Sequence, residues 1–140
     1  MTVVITETGV TPDDWAGGQV LPLDLVLSGQ ARPGVRLAVD LPNDRDPAEL
    51  APWFDRLDMI RVGFPAMGDG RGFSVARRLR TLGYAGRLRA AGPLIADQAV
   101  AARSVGFDEI EIPASVAARQ PAGLWARGGR PSYRAKLLAG

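Results

Sequence analysis

The sequence predicts an α/β protein: repeated βα units around a mainly parallel sheet of four to five strands, either an open sheet or half-barrel-like. Three observations carry this. Between Val35 and Arg119, short β-branched or apolar runs alternate four times with segments of helical periodicity, and the connections are only a few residues long. That is the pattern of right-handed βαβ crossovers. A helix start, Asp46-Pro47-Ala48-Glu49, follows the first such run, with a capping acid, proline at the first helical position and a carboxylate at N3. A chain of 140 residues is also one domain with a real core, yet too short for a complete eight-fold barrel.

Taken in order, Thr2 to Thr6 is a short β-branched strand. Gly9 to Gly18 is rich in turn residues. Leu21, Leu23, Leu25 and Leu27 alternate with other residues, the pattern of a second extended piece, and Gly29 to Gly34 reads as a surface loop. The regular core begins at Val35. Strands are expected over Val35–Leu41, Met59–Phe64, Leu88–Ala91 and Asp108–Ile112. The helix after Asp46 carries Leu50, Trp53, Phe54 and Leu57 on one face. The next has Ser74 as its N-cap, buries Val75, Ala76, Leu79 and Leu82, and ends at Gly83. A third presents Ile95, Ala99, Ala102 and Val105 before Gly106. Three regions result: an N-terminal extension with short strands (1–34), an α/β core (35–120) and a basic C-terminal tail (121–140).

There is no histidine and no cysteine. Disulfides, thiolate chemistry, histidine–metal sites, cysteine-ligated clusters and a serine–histidine relay are thereby excluded. No metal or cofactor of the chain's own is expected, and redox chemistry would need a borrowed centre. The absence of a long apolar run and of a signal-peptide pattern predicts a cytoplasmic protein that engages no membrane. Residues 1–70 hold five arginines against eleven acids, a balance of −6, while residues 71–140 hold twelve basic groups against four acids, a balance of +8. Sixteen of the 17 basic residues are arginine, which suits bidentate contacts to oxyanions and is equally what a GC-rich genome produces.

In a parallel sheet, ligands gather at the carboxyl ends of strands, where loops lead into helix N-termini. That rule selects Asn43 and Asp44 after the first core strand, Asp69, Gly70, Arg71 and Ser74 after the second, and Gln98 beyond the third. The run GDGRG at 68–72 lets backbone amides approach an anion, with Arg71 as a fixed charge; its glycines equally suit a tight βα turn. Arg77 is one turn beyond Ser74 and able to reach the loop, whereas Arg78, Arg80 and Arg87 read as surface. Arg89 sits on a strand expected to be covered on both faces. It needs either an ion pair, with Asp40, Asp44 or Asp69, or an anionic ligand. Asp44 and Asp69 are weak candidates for acid–base catalysis, since acids at helix starts usually cap. No recognised nucleic-acid motif is present.

The runs LPND at 41–44, FPAMGDGRGFSVARRLR at 64–80, LRAAGPLIADQ at 88–98 and GFDEIEI at 106–112 resemble a bacterial domain-of-unknown-function family, the one numbered nine hundred and thirty-four. Its members are labelled as oxidoreductases involved in sulfite reduction and tend to be encoded beside sulfite reductase. The resemblance spans about residues 35–112. It implies an accessory protein of assimilatory sulfate or sulfite reduction that binds a small oxyanion or a sulfite-reductase partner through the arginine-rich loop, with redox centres supplied elsewhere. The alternative is a small α/β enzyme acting on a phosphorylated or sulfated metabolite. Open sheet edges would favour self-association.

Overall fold

Charged and apolar residues alternate along the central strands, and the structure resolves that alternation into two unlike faces of one sheet. The computed structural model describes residues 2–6, 9–15, 17–64, 70–92 and 96–118. Among these residues there are seven strands: β1 (Thr2–Thr6), β2 (Gly9–Thr11), β3 (Gln19–Pro22), β4 (Leu37–Leu41), β5 (Met59–Gly63), β6 (Arg87–Ala91) and β7 (Glu109–Pro113). Their spatial order is β2-β1-β7-β6-β5-β4-β3. Neighbours from β3 to β7 are parallel, and β1 runs antiparallel to both β7 and β2. The expected four to five strands are therefore too few. The mainly parallel character stands, and two short antiparallel strands extend one edge.

The first βα unit begins earlier than Val35. Pro22 closes β3, and Leu23–Leu27 turns into a short helix, α1, that buries Leu23 and Val26 and leaves Leu25 outward. The leucine alternation that suggests an extended piece thus spans a strand end and a helical turn, where the three-residue spacing of Leu23 and Val26 decides burial. Asp46 caps the following helix by accepting from the Ala48 amide at 2.9 Å. Pro47–Arg56 is a 3-10 helix with Pro52 inside it, a residue that supplies no amide donor to an α-helical ladder. The longest helix among the described residues, α2, spans Arg71–Thr81 and ends at Gly83, whose φ is +104°. Its N-cap is Gly70, and Ser74 lies exposed within the helix, so Ser74 is not the cap. Helices α3 (Ala96–Ser104) and α4 (Ala114–Ala118) complete the pattern.

Consecutive parallel strands are neighbours throughout, so crossovers of one hand place every helix on the same side. The packing bears this out. Leu37, Val39, Leu41, Ile60, Val62, Leu88, Ala90, Ile110 and Ile112 join Leu23, Val26, Leu50, Val75, Ala76, Leu79, Ala99 and Ala102 in one buried cluster. Gly72 lets α2 press onto the sheet, because a Cβ there would meet the Phe64 ring at 2.3 Å.

The other face carries Asp40, Arg61, Arg87, Arg89, Glu109 and Glu111, aligned by register: Asp40 opposite Arg61, Arg61 opposite Arg89, Arg89 opposite Glu109. Over part of it lies the β2–β3 connection, through Trp15, which packs with Ala38, Met59 and Val20. This strap joins the two edge strands. Six interstrand steps of roughly 4.8 Å make about 29 Å across a flat sheet, and eight residues of fully extended chain reach about 26–29 Å. The strap is not fully extended, since the Gly18 amide donates to the Trp15 carbonyl at 3.2 Å. The sheet must curl, with its charged face concave.

Candidate functional site

Three places hold the chemistry-bearing residues, and each follows from where the strands end. At the carboxyl ends of β4, β5 and β6 lies an open groove of about 450 Å³ lined by Pro42, Asn43, Asp44, Gly63, Phe64, Arg71 and Ala91. Proline stops β4 and Asn43-Asp44 forms the turn beyond it, while Arg71 is the first residue of α2. The floor bears little side chain. Gly63 has open space where a Cβ would stand, and Ala91 opposes it in register on β6. The N-cap of α2 is Gly70, which has no side chain to cap the helix, and the positive end of that helix faces the side on which Arg71 sits. Groove and helix start together offer a cation, an amide side chain and a carboxylate around an empty floor.

Immediately below, on the concave face, the charges satisfy one another. Arg61 donates to Asp40 through Nη2 at 2.8 Å and to both Glu111 oxygens through Nη1 at 3.2 Å. The Asp40 hydrogen bonds hold its guanidinium well above the ordinary arginine range against the opposing effect of burial. Arg89 is only 1 % exposed. Its Nε donates to Glu109 at 3.1 Å, and its Nη1 donates to Glu111 at 2.9 Å and to Asp13 at 3.2 Å. Its Nη2 makes no hydrogen bond and lies 3.7 Å from Asp14 Oδ1. Burial opposes the Arg89 charge, yet Glu109, Glu111 and Asp13 outweigh it and the net movement is upward. Arg87 extends the network to Glu109 and Asp14, both at 2.8 Å. Asp14 is in turn held below the usual carboxylate range, first by its hydrogen bond from Arg87.

A third place lies between the C-terminal ends of α2 and α3. There a cavity of about 550 Å³ is lined by Arg77, Arg80, Thr81, Gly83, Tyr84, Ala85, Arg103, Ser104, Val105 and Gly106. Arg80 is a structural post rather than a surface residue. Its guanidinium donates to the carbonyls of Gly106, Tyr84 and Gly86 and to Asp108 Oδ2, all at 2.7–3.1 Å.

The structure therefore sorts the sequence candidates. Asn43, Asp44 and Arg71 share the groove, and Gly70 adjoins it. Ser74 is exposed partway along α2, Arg77 lines the separate cavity, and Gln98 is half-buried on α3. Arg89 lies in the concave network and is paired, though with Glu109, Glu111 and Asp13 instead of Asp40 or Asp44. Asp69 falls outside the described residues. Sequence reasoning passed over Arg61, Glu109, Glu111, Asp13 and Asp14. A signal was present: Asp40, Arg61 and Arg89 each sit between two apolar residues, and Glu109 and Glu111 flank Ile110. Charges at period two on adjacent strands mark one polar face. Among the described residues there is no group of three or more potential metal-ligating side chains, and no helix is long and apolar enough to cross a membrane.

A family described as bacterial protein of unknown function (DUF934) matches residues 38–127, which hold the groove, the cavity and the strand-borne part of the charged network but not Asp13 and Asp14. No curated protein and no solved structure matches.

Proposed function

The chain belongs to the DUF934 family of bacterial proteins of unknown function, and on that premise we propose that it is a cytoplasmic accessory protein of assimilatory sulfate or sulfite reduction. In this reading it holds a small oxyanion of the sulfite or sulfate type in the groove between Asn43 and Arg71 and presents it to a sulfite-reductase partner. The observation that carries the binding part is the placement of Arg71, at the first position of α2, beside Asn43 over a floor made by Gly63 and Ala91. A guanidinium and an amide side chain at a helix N-terminus suit a tetrahedral or pyramidal oxyanion. The pathway rests on the sequence resemblance over residues 35–112. The absence of histidine and cysteine assigns the redox centre to the partner. The curled sheet is read as half-barrel-like, and its edges β2 and β3 are the surfaces through which it would self-associate.

Affinity copurification with sulfite reductase tests the partnership. Wild-type protein is expected to retain the reductase, and a strain lacking the gene is expected to grow poorly on sulfate and normally on cysteine. No retention together with normal growth on sulfate overturns the reading.

A second reading is favoured by one residue. Asp44 lines the same groove as Arg71, which is the arrangement a small enzyme acting on a phosphorylated or sulfated metabolite would use, with Asp44 as acid–base group. It requires turnover that Asp44→Asn abolishes while anion binding persists.

A further inference from the structure

We propose that the cavity between the C-terminal ends of α2 and α3 is a docking site for an acidic, partly apolar segment of a partner protein. It is distinct from the oxyanion groove and does not depend on it. Arg71 and Arg77 are six positions apart on α2, a rise of about 9 Å along the helix, so the two sites use opposite ends of one helix.

Charge complementarity identifies the occupant. Helix α2 carries Arg71, Arg77, Arg78 and Arg80 and no carboxylate. Of the four acids after residue 70, Glu109 and Glu111 belong to the opposite face of the sheet, where they pair with Arg61, Arg87 and Arg89. Asp108 is held by Arg80, and Asp97 is at the other end of α3. Arg77 and Arg78 are exposed and make no ion pair among the described residues. Arg77 lines the cavity with Arg80 and Arg103, Arg78 follows it on α2 outside the lining, and Tyr84, Ala85 and Val105 supply apolar wall. Cations around an apolar hollow fit a segment in which carboxylates flank a hydrophobic side chain.

The same features disfavour other occupants. The chain's own residues 121–140 include four basic residues and no acid, the wrong charge for this occupant. A symmetric contact with a second copy would set arginine against arginine. A lone phosphate would meet the negative ends of both helices, whereas carboxylates spread along a peptide reach the guanidinium groups from outside.

The test is fluorescence anisotropy on the full chain with a labelled Glu-Glu-Phe-Leu-Glu-Glu peptide, its Lys-for-Glu counterpart and a labelled single-stranded oligonucleotide. The acidic peptide is expected to bind and to weaken as salt rises. The doubly substituted R77E/R78E protein, checked by circular dichroism for an unchanged fold, is expected to lose about tenfold or more in affinity. Arg71→Ala should leave peptide binding unchanged, which separates this surface from the groove. Absence of binding overturns the proposal, as does equal loss in Arg71→Ala. Oligonucleotide binding as tight as peptide binding, with the same sensitivity to R77E/R78E, overturns it too and indicates a general polyanion surface.

Discussion

Arg89 on β6 and Glu109 on β7 face each other in register, and the Nε–Oε1 contact of 3.1 Å joins two side chains that are almost wholly withdrawn from solvent. Two buried charges of opposite sign are tolerated because each completes the other. Removing one strips the other of its closest buried partner, a loss that costs more than the pair contributes, and Glu109 is then left with Arg87 alone.

Arg89→Met is accordingly expected to destabilise the protein by about 3–5 kcal/mol, since Glu109 and Glu111 both lose a donor. The double variant Arg89→Met/Glu109→Leu should recover most of that loss. Urea unfolding of the two single variants and the double variant measures the coupling. Simple additivity would show that the network contributes nothing as a unit.

Arg80 and Arg78 lie two residues apart on α2, yet opposite outcomes are expected. Arg80 binds three main-chain carbonyls and Asp108, whereas Arg78 is exposed. Arg80→Ala should cost about 2–4 kcal/mol because several acceptors lose their donor together. Arg78→Ala should stay within about 0.5 kcal/mol of wild type. Thermal unfolding of both variants decides it.

Tyr84 gives the protein an alkaline limit. Burial pushes its phenol well above the usual tyrosine range, and its hydroxyl donates to the Arg87 carbonyl at 2.9 Å. The folded state keeps this proton while the unfolded state releases it near pH 10. More protons are then bound in the native state, so stability falls as pH rises beyond about 10. Tyr84→Phe should flatten that limb of the stability profile. An unchanged slope between wild type and variant would remove Tyr84 as its source.

The βα repeat was legible in the sequence because each unit carries local signals that do not need tertiary context. Asp46-Pro47 opens a helix, Gly83 ends one, and Leu50, Val75, Ala76, Leu79, Ala99 and Ala102 keep helical spacing toward one core. The N-terminal strands were less legible. Gly9–Thr11 is only three residues long, and the pairing of β1 with β7 joins strands more than a hundred residues apart. The groove was legible in part: the strand-end rule brought Asn43, Asp44 and Arg71 together, but it could not foresee that Arg77 lies beyond reach down α2. Assuming a sheet covered on both faces concealed the ladder from Asp40 to Glu109. A parallel sheet wound in one sense has helices on one face only, and the second face is left for charge and for the strap around Trp15.

The most direct test of the central claim is isothermal titration of sulfite and of sulfate into wild-type protein, Arg71→Ala and Gly63→Leu. The Gly63 site has open space for a Cβ, so leucine there fills the groove without displacing a neighbour at its first carbon. Wild type is expected to bind one of these anions, and both variants to lose binding while keeping the wild-type stability to within about 1 kcal/mol. Binding that survives in both variants, or no binding to wild type, would contradict it.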